Sequence, residues 1–135
     1  MYKGKIGQFA SIALVLAVIG LADTTYLTIM HYTDRQVACP DSGIINCENV
    51  LSSQYASLIG LPLAVWGLFF FAIEIGIILA VANKDLLVIY SGIGVAFVIY
   101  LLYIEYLVGS ICIYCTIVHI IVVVTFALSI LNLRS

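Results

Sequence analysis

The sequence predicts an all-α integral membrane protein, a bundle of four transmembrane helices with a long external loop between the first two. Its 135 residues are 64% hydrophobic and 9% charged, with a mean hydropathy of +1.23, a balance outside the range of soluble domains. A soluble chain of this size would have to expose most of its apolar side chains, because its polar residues are too few to cover the surface. Apolar runs of roughly 20 residues, long enough to cross about 30 Å of hydrocarbon as helices, lie near 9–30, 61–82, 86–108 and 111–133. Backbone groups in lipid need internal hydrogen bonds, and these runs lack the polar alternation of a barrel strand, so helices remain. The net charge is -2 and basic residues are not clustered, which removes nucleic acid as a partner.

Taken in order, the first run follows Lys3 and Lys5 like a secretory leader, but no small-x-small cleavage site marks its end, and it is expected to be a retained span. Lys3, Lys5, Lys84 and Arg134 collect on one side of the bundle with Arg35 opposite, which predicts cytoplasmic termini. The loop from about 31 to 60 is long enough to carry structure or function. Within it Val50, Leu51, Tyr55, Leu58 and Ile59 share a helical face, with Asn46 as a reasonable N-cap, and predict a short helix on the membrane surface. Pro62 is expected in the first turn of the second span and Trp66 in the interfacial belt. The connections around Asn83–Asp85 and Gly109–Ser110 are short and force antiparallel neighbours. No linker or repeat interrupts the chain, so residues 1–135 read as a single domain.

Four cysteines carry the chemistry: Cys39 and Cys47 in the loop, and Cys112 and Cys115 in Cys112-Ile113-Tyr114-Cys115. With the termini inside, all four lie at the extracytoplasmic, oxidising side. A CxxC at a helix start places both sulfurs on one face, close enough for a small, easily cycled disulfide. Ser110 as cap would put Cys112 in the first helical turn, where free N–H groups and the helix dipole favour its thiolate. Cys115 lies one turn deeper, at the level of a lipid-soluble electron acceptor. Four cysteines allow three pairings, and static disulfides that brace a non-catalytic scaffold are the alternative reading. A zinc site fits less well, because Cys39 and Cys47 are not a close-spaced pair.

These residues resemble the vitamin K epoxide reductase family in its small bacterial and archaeal form. The resemblance covers nearly the whole chain. It rests on Cys39, on Cys47-Glu48-Asn49-Val50-Leu51-Ser52-Ser53, on Gly60-Leu61-Pro62 leading to Trp66-Gly67, on the final CxxC, and on Tyr26-Leu27-Thr28 through His31. It implies a bundle around a quinone of menaquinone or ubiquinone type, with Cys115 reducing the quinone and Cys112 closing the disulfide behind it. Cys39 and Cys47 would bring electrons in from a thioredoxin-like or periplasmic thiol-oxidase partner, a separate protein because no such domain is fused here. Ser53 corresponds to the family's loop serine, and His119 stands where vertebrate members carry a quinone-bonding tyrosine. No metal is implied.

Four ionisable residues fall inside the runs: Asp23, Glu74, Glu105 and His119, and such residues are functional candidates by default. Counted at about 1.5 Å per residue, Asp23 and His119 lie at similar depths, roughly 10–12 Å from the cysteine side, and are expected to pair or share a water. His119 follows Cys115 by one turn and so shares its face, placed to hydrogen-bond a quinone carbonyl. Gly92 and Gly94 are read as points of close helix approach, and Tyr100, Tyr103, Tyr106 and Tyr114 as belt anchors.

Overall fold

The computed structural model describes residues 5–33, 57–81 and 84–134; Cys39, Cys47, Ser53 and most of the expected surface helix lie outside them. The described chain forms helices α1 (Lys5–Tyr32), α2 (Leu63–Gly76), α3 (Lys84–Val108) and α4 (Ile113–Arg134). A π-helical segment, Ile77–Val81, continues α2. Four helices are long and apolar enough to cross a membrane, so the predicted four-span membrane bundle stands. Pro62 precedes the helix that starts at Leu63, so it interrupts no i→i−4 ladder. Hydroxyls within spans turn back on their own helix: Thr24 Oγ1 donates to the Gly20 carbonyl at 3.0 Å and Thr28 Oγ1 to that of Thr24 at 2.8 Å. Such bonds satisfy a polar group where water is absent.

Two expectations before α2 need correction. Leu58 and Ile59 do not continue a surface helix; β1 (Ser57–Leu58) pairs antiparallel with β2 (Leu61–Pro62), Leu58 opposite Leu61. Ile59 (φ 53°) and Gly60 (φ 79°) make the two-residue turn, both left-handed as a tight hairpin of this kind requires. Pro62 sits at the N-cap of α2 with extended backbone (φ -62°, ψ 150°), one residue before the first turn. Proline also holds the residue before it out of the helical region, so Leu61 belongs to the hairpin.

Helix α1 packs against both α2 and α4, and α4 also packs against α3, so α1 and α4 form the central pair. Ala17, Phe71, Val98, Ile121 and Val122 make the buried core, with Leu16, Leu21, Phe70 and Val118 packed around it. The fit is closest at two glycines. A Cβ at Gly20 would meet the Phe71 ring at 2.6 Å, and one at Gly94 the Phe70 ring at 2.5 Å, which confirms close approach at Gly94. Between α3 and α2 the Tyr90 hydroxyl donates to the Phe70 carbonyl at 2.8 Å, with the two rings stacked at 4.7 Å. Val15, Ile29, Leu79, Ile93, Ile99 and Ile120 are exposed, an apolar outer face suited to lipid.

Candidate functional site

The site is built around the turn from α3 to α4. The N–H of Gly109 donates to the Glu105 carbonyl at 2.9 Å, and Gly109 takes φ 82°. A residue without Cβ ends a helix this way at little cost. The reversal brings the end of α3 against the start of α4. There the Cys112 N–H donates to Glu105 Oε2 at 2.9 Å, while the Cys112 carbonyl accepts both the Thr116 N–H and the Thr116 hydroxyl at 2.9 Å.

Cys112 therefore occupies the N-cap position of α4 rather than its first turn, and a carboxylate from the preceding helix holds the N–H that a Ser110 cap was expected to organise. Glu105 sits near the C-terminus of α3, where the dipole disfavours an anion, but it faces the N-terminus of α4, where the dipole favours one. The sequence names Glu105 as a candidate by its charge within a span and does not assign it a partner. Its spacing of seven residues from Cys112 across a tight turn was the available signal, since positions equidistant from the reversal of an antiparallel pair face each other.

The Cys112 side chain is fully buried, packed by Val108, Ile113, Tyr114 and Cys115. Cys112 and Cys115 are free thiols, and the hydrogen bond between their side chains lowers the Cys112 pKa from the ordinary thiol value, although burial and the Glu105 charge oppose it. This supports the reading of Cys112 as the readier thiolate. Tyr114, expected only as a belt anchor, lies with its ring 5.4 Å from that of Tyr26, joining the start of α4 to the end of α1.

One turn beyond Cys115, His119 is buried at 5% exposure with neither ring nitrogen hydrogen-bonded. Its expected pairing with Asp23 is replaced by proximity to Glu105: Nδ1 lies 3.9 Å from Oε1. Depth along the span does not choose the neighbour of His119; the α3–α4 reversal at Gly109 does. Asp23 Oδ2 has no hydrogen-bond partner.

Four helices apolar enough to cross a membrane, with a dithiol at the start of one, are the arrangement that a membrane thiol–disulfide oxidoreductase needs. The sequence matches the Vitamin K epoxide reductase family over residues 11–130, and the chain belongs to that family. It is thus a multi-pass membrane oxidoreductase of a family that uses quinones and thioredoxin-like proteins as electron partners. No curated protein matches the chain.

Proposed function

We propose that this protein is a relay that takes electrons from a thioredoxin-like or periplasmic thiol protein through Cys39 and Cys47. They pass to Cys112 and Cys115 and then to a menaquinone- or ubiquinone-type quinone, which supports disulfide bond formation outside the cytoplasm. The observation that carries the reading is the Cys112–Cys115 dithiol, Cys112 buried and Cys115 half-buried, with His119, whose ring nitrogens accept and donate no hydrogen bond, one turn deeper. The termini are cytoplasmic and the cysteines extracytoplasmic in this scheme, following the basic residues.

A thiolate of the partner attacks the Cys39–Cys47 disulfide at Cys39, forming a mixed disulfide and releasing Cys47 as thiolate. A second partner thiolate then releases Cys39, and the partner leaves oxidised. Cys47 attacks a Cys112–Cys115 disulfide at Cys112 and frees Cys115. Cys39 then displaces Cys112 from Cys47, so the loop disulfide re-forms and the inner pair becomes a dithiol. Each exchange breaks one S–S bond and makes one. Bound quinone supplies an acceptor for two electrons and two protons. The chain's own groups hold the dithiol at the helix start, offer His119 to a carbonyl oxygen, and exclude water, with Ser53 as a loop contact to the acceptor.

The test is quinone reduction by purified protein in detergent, with a protein donor and with a small permeant dithiol. Cys112→Ala and Cys115→Ala abolish turnover with both donors. Cys39→Ala loses it with the protein donor but keeps part with the small dithiol. Equal losses of Cys39→Ala with both donors would remove the loop pair from the path.

A further inference from the structure

Among the described residues, the buried Glu105 reaches toward both halves of the candidate site. Its Oε2 holds the Cys112 N–H at 2.9 Å and its Oε1 lies 3.9 Å from His119 Nδ1. The residue is only 8% exposed, and no backbone ladder needs its side chain. We propose that Glu105 is the positioning residue of the redox site: one carboxylate oxygen fixes Cys112 at the start of α4, and the other turns the imidazole so that Nδ1 carries its proton toward α3 and Nε2 faces the electron acceptor. This rests on the functional reading above and goes beyond it.

The separation of 3.9 Å is too long for a hydrogen bond, and a shift of about 1 Å closes it. With Nδ1–H directed at a carboxylate, Nε2 is the nitrogen left to accept a proton, and the adjacent negative charge stabilises the imidazolium that results. The balance of the reaction gives this nitrogen a task. As the Cys112–Cys115 bond closes, two thiols lose two electrons and two protons, all of which go to the quinone. Nε2 holds the proton from Cys115 in transit and presents it to a carbonyl oxygen, while the proton from Cys112 leaves with closure of the S–S bond and reaches the second oxygen. Glu105 touches neither sulfur nor acceptor in this scheme; it sets the geometry of the groups that do.

Two variants separate positioning from mere helix capping. Glu105→Gln keeps an oxygen for the Cys112 N–H and removes the charge, whereas Glu105→Leu removes both. In Glu105→Gln, hydrogen exchange at the Cys112 amide stays slow, the ¹⁵N signals of His119 move from a single Nδ1–H tautomer toward a mixture, and kcat falls about 10- to 100-fold with little change in KM, the scale seen when a group that orients a metal-bound imidazole is lost. In Glu105→Leu the Cys112 amide also exchanges quickly. A Gln variant with wild-type tautomer and kcat would make Glu105 a cap and nothing more, and a Leu variant with a protected Cys112 amide would remove even that role. Because exchange and tautomer are read without turnover, they judge Glu105 even if the cysteine variants refute quinone reduction.

Discussion

Two buried glutamates in this bundle make a natural comparison. Glu105 and Glu74 are 8% and 1% exposed, each on a membrane-spanning helix. Glu105 accepts a backbone N–H and lies beside an imidazole, whereas both oxygens of Glu74 lack any hydrogen-bond partner. Burial is shared; organisation is not. What separates them is the chain reversal at Gly109, which turns the start of α4 toward Glu105 and supplies a donor no straight span can offer in mid-membrane. Substitutions at the cysteine end should therefore be read in rate, and those around Glu74 in stability.

The largest effect expected from that contrast is at His119. His119→Leu should lower kcat and kcat/KM together by about 10- to 1000-fold, as for loss of a donor to developing charge, with thermal stability in detergent nearly unchanged. Normal turnover with lowered stability would move His119 to the structural side of the comparison. Next comes packing at mid-bundle, where Gly20→Ala drives a methyl into the Phe71 ring. It should destabilise the fold by about 1–3 kcal/mol, the range for overpacking a filled site, while the remaining folded protein turns over normally. The smallest effect is at Glu74 itself. Glu74→Met removes two unpartnered oxygens and should leave stability equal or raise it by about 1 kcal/mol; a loss of turnover there would erase the division between the two regions.

The Cys112 thiol offers a finer probe of the cysteine end. Its pKa is lowered by the hydrogen bond from Cys115, so in a background lacking Cys39 and Cys47 its thiolate absorbance should appear at lower pH when Cys115 is present. Cys115→Ala should move that titration upward, since a depressed pKa means the anion persists to lower pH only while its partner is there. An unchanged midpoint would show that Cys115 does not set the thiolate.

The fold was legible because each span announces itself by length and apolarity, and the CxxC by its spacing at a helix start. The family resemblance, seen in the cysteines and in Gly60-Leu61-Pro62, agrees with the match over residues 11–130. Two kinds of feature escaped. The hairpin at Leu58–Leu61 was hidden because its apolar residues also fit a helical face, and only a left-handed Ile59 beside Gly60 distinguishes the two. The link from Glu105 to Cys112 and His119 escaped because it depends on which faces meet across a turn. Depth counting placed His119 beside Asp23, but rotation about the helix axis, which depth does not contain, placed it beside Glu105. The expected loop roles of Cys39, Cys47 and Ser53 lie outside the described residues.

The central claim is that Cys112 and Cys115 are a working dithiol rather than a fixed brace, and trapping their thiols before and after quinone addition tests it most directly. Protein lacking Cys39 and Cys47, so that the loop pair cannot re-reduce the inner one, is reduced, freed of reductant, mixed with a stoichiometric quinone and quenched with an alkylating reagent, and each cysteine-containing peptide is read by mass spectrometry. The account predicts that Cys112 and Cys115 lose their labels together, one disulfide formed for each quinone reduced. Full labelling of both cysteines after quinone addition, or a pair that resists reduction at the outset, would contradict it.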